Sequence, residues 1–492
     1  MKRLLDLMAS LVSKAVDWLK IQKPERVFLA ISLTVGILFV FLTPPIAVVD
    51  EENHFFRAYE LSQANLFTDR LNNGGAYGAN IPENMAYFVY YNKGKAIGVG
   101  APSDSSIWKV AKEKPNESIT REVVYNGSAA YSPIGYIPQA VGMFIAGASN
   151  MNNEGYLYIG RLLNLIAFIA IVFLSIRIIP VGKYILFSVA LIPTTLYQSA
   201  SLSIDAILVA SVLLAIAASV HLLLIKKVKK RILLALLASL IAISLMKYIY
   251  MLLIIPILVY WVFRVDRSER LRSFALVFLL IILPLAALYL WNSSLPGDVL
   301  TPASVLDAGT KEISVSKQLA FILNNPLAYT SSVINLLFFD AVSADVIWRG
   351  MIGRFGWMGG NYFAPLLSMV LGILSLALAM LIDKTRFKKS VHSKSIKPGF
   401  TMSASFMMAA ALTALGVITG LYVAFTSVGS SKILGVQGRY FIPIIPVFLL
   451  SLVFLKGSIV KLSNHMSGVA LLYGMVIANL IYASLVIIKQ FY

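Results

Sequence analysis

The chain contains no cysteine among its 492 residues, which excludes disulfides and thiolate metal sites and leaves the redox compartment open. Charge is scarce: only 13% of residues are Asp, Glu, Lys or Arg, and histidine occurs four times. No Asp-x-Asp pair occurs, and His54 beside Glu51 and Glu52 is an incomplete ligand set. Carboxylates suit Mg²⁺ or Mn²⁺, but on this pattern no metal and no cofactor is expected. Two glycine-rich pieces, "NNGGAYGAN" and "GKAIGVGAPS", lack the spacing of a phosphate-binding P-loop and read as flexible loops. No internal repeat is strong enough to mark an inverted-repeat transporter.

Apolar residues fill the space that charge leaves. They make up 58% of the chain, and the mean hydropathy is +0.79. Apolar runs recur along the chain, each long enough to cross a hydrocarbon core about 30 Å thick. This is the pattern of an all-α polytopic membrane protein. The Lys-rich start, residues 1–26, sets Leu4, Leu5, Met8, Leu11, Val12, Ala15 and Leu19 on one face and reads as an amphipathic helix lying on the membrane. The first span, 27–46, has no convincing cleavage site and reads as a retained anchor.

A net charge of +19 raises the question of nucleic acid, but its distribution answers it. The basic clusters "KKVKKR" (226–231), "RVDRSERLR" (264–272) and "DKTRFKKSVHSKSIK" (383–397) all fall in short segments between apolar runs. Under the positive-inside rule these segments are cytoplasmic. The fitted topology has eleven spans: 27–46, 157–176, 183–199, 204–224, 232–246, 248–263, 274–291, 363–382, 401–425, 439–455 and 466–487. The N-terminus is then cytoplasmic. Spans 2–7 lie within 157–291 and spans 8–11 within 363–492, and two large segments, 47–156 and 292–362, are extracytoplasmic. The short apolar stretch 133–149 is assigned to a helix in the outer interface, because counting it as a span would invert the basic clusters.

The stretch "PPIAVVDEENHFFRAYEL" (44–61) follows the first span outward and concentrates Asp50, Glu51, Glu52, His54 and Arg57. If it is helical, Asp50, Asn53, His54 and Arg57 share one face at i, i+3, i+4 and i+7. A carboxylate facing a partly desolvated cavity can act as a general base. His54 and Arg57 are placed to tune it or to hold a phosphate. An interfacial ion-pair cluster is the alternative.

The topology sets further polar residues at the same outer level: Gln198 ends span 3, Asp205 begins span 4, Lys247 lies between spans 5 and 6, and Arg439 opens span 10. Ionisable groups near hydrocarbon are costly and tend to face one another or a wet cavity, so a shared polar cavity at the outer leaflet is expected. Each residue also has a structural alternative: a helix N-cap for Asp205, a snorkelling side chain for Lys247, a structural ion pair for Arg439. In "DVIWRGMIGRFGWMGGNYF", Trp348, Arg349, Arg354 and Trp357 suit sugar stacking or anion binding, or else a Trp-anchored interfacial loop.

The pieces "DEENHFFRAYELS", "YSPIGYIPQA", "GRLLN", "LIPTTLYQSASLSID", "GRFGWMG" and "GVQGRYFIPIIP" resemble, in order and over most of the chain, the bacterial family of predicted membrane proteins catalogued as domain of unknown function 2142. The acidic motif after span 1, the proline-containing element at Pro133 and Arg161 in "YIGRLLN" also resemble membrane glycosyltransferases of the GT-C fold. That resemblance implies a polyprenyl-phosphate sugar as donor, a cell-envelope glycan or glycolipid as acceptor, and inversion at the anomeric carbon on the extracytoplasmic face of a bacterial plasma membrane. It implies Asp50 as base with Glu51 as the close alternative, Lys247 and Arg439 on the phosphate, and Arg57 and Arg161 behind them. Membrane lipids are the remaining partners. A transporter or flippase of lipid-linked glycans competes with this expectation, as does a non-catalytic partner in envelope assembly.

Overall fold

The computed structural model describes residues 22–71, 76–98, 106–225, 229–296, 313–356, 366–391, 399–455 and 465–492. The amphipathic stretch up to residue 21, Trp357, and parts of the basic clusters at 226–231 and 383–397 lie outside the described residues.

The chain is mostly helical. Helix α1 (Pro24–Leu42) leads to α2 (Glu51–Ser62), a short sheet, α3 (Ile137–Ala148) and α4 (Asn153–Ile178). Two short helices, α5 (Lys183–Ala190) and α6 (Pro193–Ser199), precede α7 (Asp205–Leu224), α8 (Lys230–Lys247), α9 (Ile255–Arg264) and α10 (Arg270–Ser294). Then come α11 (Pro326–Ile334), α12 (Ala341–Ile352), α13 (Leu366–Val391), α14 (Phe400–Phe425), α15 (Ile445–Phe454) and α16 (His465–Phe491). Among the described residues eight helices are long and apolar enough to cross a membrane: α1, α4, α7, α8, α10, α13, α14 and α16. Helix α7 is apolar on all sides and buried along nearly its whole length, so it forms the centre of the bundle.

The three other expected spans are broken, and proline marks each break. The run 183–199 stops at Leu191 and restarts at Pro193. The run 248–263 opens as a 3₁₀ turn, Tyr248–Leu253, before α9 with Pro256 in its first turn. The run 439–455 opens as Gly438–Ile444, also 3₁₀ and containing Pro443, before α15. A proline has no N–H to continue an α-helical ladder, and its ring disfavours helical geometry just before it. Conversely, part of the segment 292–362, expected outside, holds a bent pair of apolar helices, Pro326–Phe339 and Ala341–Ile352, which meet at 65°. Asp340 sits at the bend and caps α12 through the N–H groups of Val342 and Ser343.

The segment 47–156, expected outside, adds β structure to the expected all-α chain. Strands β1 (Asp69–Arg70), β2 (Tyr77–Pro82) and β3 (Thr120–Val124) form an antiparallel sheet in the order β1–β2–β3, with Gly78 opposite Val124 and Pro82 opposite Thr120. The end of "NNGGAYGAN" is therefore a strand rather than a loop. A core of Phe55, Phe56, Ile81, Met85, Phe88 and Tyr125 joins this sheet to α2. Helix α3 is too short for a continuous span; it packs along α4 and exposes Ile137, Val141, Phe144 and Ile145 on its other face.

The charged residues gather at the two ends of the bundle. At one end Asp383 of α13 accepts the N–H groups of Tyr184 and Ile185 at 3.0 and 2.9 Å, capping α5. Lys183 lies there 3.9 Å from Glu25 at the start of α1. The other end holds the site described next.

Candidate functional site

The site begins where α1 stops. Pro44 and Pro45 end the helix, and the last carbonyls of a helix have no partner within it. Arg161 of α4 supplies one. Its Nη1 donates to the carbonyls of Val40 and Thr43 at 3.1 and 2.8 Å, and its Nη2 donates to Pro44 at 3.0 Å. The same guanidinium grips Glu51 in a bidentate pair, Nε to Oε1 at 2.8 Å and Nη2 to Oε2 at 2.6 Å. Glu51 Oε1 also accepts the N–H of Leu202, at 3.2 Å. Both side chains are fully buried. This node ties the end of α1, the start of α2, the middle of α4 and the approach to α7 into one unit.

Held in this way, the turn adopts a strained path. Ile46 and Asp50 have φ of 57° and 65°, the left-handed region that costs a β-branched residue most. Such strain persists only where the surroundings impose it, and it concentrates at functional sites. It turns Asp50 away from Glu51 and into a cavity of about 500 Å³ at this end of the bundle.

Four charged side chains meet in that cavity. Asp50 Oδ2 accepts from Arg439 Nη2 at 2.6 Å, and Arg439 Nε lies 3.4 Å from Asp205 Oδ2. Lys247 Nζ donates to Asp205 Oδ1 at 2.7 Å. The ring of Tyr440 lies between the two cations, 4.9 Å from Lys247 Nζ and 5.4 Å from the Arg439 guanidinium carbon. Residues 50, 205, 247 and 439 are far apart in the chain, and they form one alternating chain of ion pairs. Asn53, His54, Ser128 and Tyr131 line the cavity on the side of the sheet-bearing segment, and Gly416, Gly420, Leu421 and Phe425 of α14 line it on the side of the bundle.

Other expected site residues lie elsewhere, for physical reasons. Glu51 and Arg161 spend their hydrogen-bonding capacity on each other and on backbone, and neither lines the cavity. Arg57, one turn beyond Asn53, is intercepted before it can reach the cavity: it pairs with Glu60 and donates to the carbonyl of Leu66 at 2.6 Å. Gln198 and Arg354 line a separate void of about 30 Å³ behind Arg439, room for a water molecule. Arg349 is ion-paired to Asp345 on the surface of α12, and the Trp348 indole donates to the Leu337 carbonyl at 3.0 Å, pinning the bend between α11 and α12. Among the described residues no three His, Asp or Glu side chains converge as a metal-ligand set. Tyr440 and Tyr131 were missed as site residues, because nothing in their local pattern sets them apart in a chain with 23 tyrosines.

His54 is buried and shares a hydrogen bond of 2.8 Å between its Nδ1 and the Tyr136 hydroxyl. Burial pushes its pKa down to about 4 from 6.5; Asp50 and Asp205 pull it back up, while Arg439 and Lys247 push it further down. The imidazole is therefore neutral at neutral pH. A depressed folded-state pKa contributes stability that is present above 6.5 and is lost as pH falls through about 4. The wild-type melting temperature is expected to fall across that window more steeply than that of His54→Gln, the variant lacking a contribution of about 3 kcal/mol. Thermal scans in detergent at stepped pH measure the difference.

Arg439 is positioned by the residue before it. A Cβ on Gly438 would lie 2.2 Å from the Ile347 carbonyl and 2.4 Å from the Met351 nitrogen, both backbone atoms of α12. Backbone cannot swing aside as a flexible side chain can. Gly438→Ala is expected to cost about 1–3 kcal/mol as overpacking and to displace Arg439 from Asp50. Melting temperature, together with accessibility of a cysteine placed at 53 in this cysteine-free chain, reads both effects.

A helical bundle of several membrane-spanning lengths, with a polar cavity at one end and a small sheet-bearing segment over it, defines a multi-pass membrane protein. The chain belongs to the family of predicted membrane proteins DUF2142, whose model matches residues 33–448. Comparison with curated proteins and with solved structures gives no match.

Proposed function

We propose that the protein is a membrane glycosyltransferase that moves a sugar from a polyprenyl-phosphate donor to an extracytoplasmic acceptor of the bacterial cell envelope. The observation that carries this is the convergence of Asp50, Asp205, Lys247 and Arg439 on one cavity at the ends of the spans. The chemistry needs a base on one side of the sugar and cations on the leaving phosphate. An acceptor hydroxyl attacks the anomeric carbon, the bond from that carbon to the phosphate oxygen breaks, and Asp50 takes the hydroxyl proton. Lys247 and Arg439 hold the departing lipid phosphate. Attack opposite the leaving group inverts the anomeric centre. Glu51 is set aside as base because Arg161 and the Leu202 N–H occupy it.

The test is turnover of a panel of radiolabelled polyprenyl-phosphate sugars by the purified full-length protein, reading slow donor hydrolysis or transfer onto envelope extract. Turnover of one donor is the expected result. Donor binding with no turnover of any donor, and vesicle-to-vesicle movement of the lipid-linked sugar instead, would replace the enzyme by a flippase.

A further inference from the structure

The cavity has two chemically different ends, and only one of them is polar. Away from the ion pairs it continues as an apolar arm along α14, floored by Gly416 and Gly420, which stand one turn apart on the same face. The two glycines do different work. A Cβ on Gly416 would come within 2.6 Å of Ile249 Cδ1, so that position is already filled by its neighbour. A Cβ on Gly420 would meet nothing within 4 Å, and Gly420 is exposed at the mouth of the arm.

At the inner end of the arm stands Arg439, with its side chain only 8% exposed. Its Nη2 is paired with Asp50 at 2.6 Å, and its Nε lies 3.4 Å from Asp205, an ion pair without a formed hydrogen bond. A buried guanidinium held by two carboxylates that an anion could replace, continuous with an apolar arm lined by Ile249, Val417, Leu421 and Phe425, matches one ligand shape: an anionic head on one long hydrocarbon chain.

We infer that Gly420 is the specificity-determining residue of a lateral port, where its missing side chain leaves the width through which the chain of a single-chain lipid phosphate enters the cavity. The port rests on the sugar-transfer proposal for its occupant, and it assigns what that proposal leaves open, namely the residue that gauges the chain. The port also explains why α14 carries glycine where leucine would strengthen a lipid-facing helix. Because a Cβ at Gly420 meets open space, a side chain there starts without displacing a neighbour and takes up room at the arm.

The experiment measures binding, so it does not depend on turnover. Long-chain polyprenyl phosphate, geranyl phosphate and phosphatidylglycerol are titrated into the wild type, Gly420→Ala and Gly420→Leu in detergent, with melting temperature recorded for each variant. The port requires the wild type to prefer the long chain. Gly420→Leu should weaken long-chain binding roughly tenfold, Gly420→Ala less, and geranyl phosphate should bind all three alike. Unchanged long-chain affinity in a folded Gly420→Leu overturns the port. Equal binding of phosphatidylglycerol, with equal sensitivity to Gly420→Leu, overturns the single-chain assignment. Chain-selective binding without turnover of any sugar donor upholds the port and sinks sugar transfer, whereas undiminished turnover of a long-chain donor by Gly420→Leu does the reverse.

Discussion

Arg161→Met is expected to destabilise the protein by about 3–5 kcal/mol, the cost of stranding a buried charge. The substitution keeps an apolar side chain of similar reach, so cavity formation adds little. What it removes is the partner of Glu51, whose carboxylate is fully buried and would keep only the N–H of Leu202. It also takes a donor from the carbonyls of Val40 and Thr43, which α1 and its double proline leave without another, while Pro44 keeps the N–H of Ala47. Adding Glu51→Leu removes the stranded charge and should recover part of the loss, but not the part owed to the carbonyls of Val40 and Thr43. The double variant therefore falls between the single variant and the wild type. Melting temperature in detergent, with recovery of a monodisperse species, measures all three. A single variant as stable as the wild type would mean that water satisfies this node and that Arg161 does not anchor the turn at Asp50.

The same node shows where reading the sequence succeeds and where it stops. The long spans were legible because hydrocarbon demands unbroken apolar runs, and α1, α4, α7, α8, α10, α13, α14 and α16 obey that demand. The runs at 248–263 and 439–455 are as apolar and 183–199 is less so, but Pro193, Pro256 and Pro443 interrupt their α-helical ladders, and hydropathy does not register a missing N–H. The sheet went unread because its strands are short and β2 begins inside a glycine-rich stretch.

The cavity was legible for a different reason. Once the basic clusters fix which loops share a face, Asp205, Lys247 and Arg439 must sit at the same end as Asp50, and the ion pairs among them follow. Asn53 and His54 follow from helical spacing. Arg57 does not, because spacing along a helix says nothing of the chain that returns over it, here at Leu66. Nor does any local rule separate Asp50 from Glu51. They are adjacent carboxylates after the same span, and only Arg161, 110 positions from Glu51, decides that one is structural and the other faces the cavity.

Asp50→Asn is expected to reduce sugar transfer about 10²–10⁴-fold, the usual contribution of a general base, while leaving donor binding and melting temperature close to those of the wild type. The substitution is a demanding one because it changes so little else. Asn tolerates the left-handed conformation that Asp50 adopts at φ 65°, so the turn keeps its path. The Asp50 side chain is 40% exposed, and Arg439 keeps Asp205 beside it after the change. At rest Arg439 holds Asp50; a donor phosphate that takes Arg439 frees the carboxylate for the acceptor proton, so donor binding should survive the loss of charge at 50. Transfer rate and donor affinity are measured side by side, with Asp50→Gly as a second variant that keeps the backbone conformation and deletes the carboxylate. Transfer lost in both with binding intact assigns the base. Transfer retained in both moves the base to another group, and Asp205, the other carboxylate on the cavity, would have to leave Lys247 to serve.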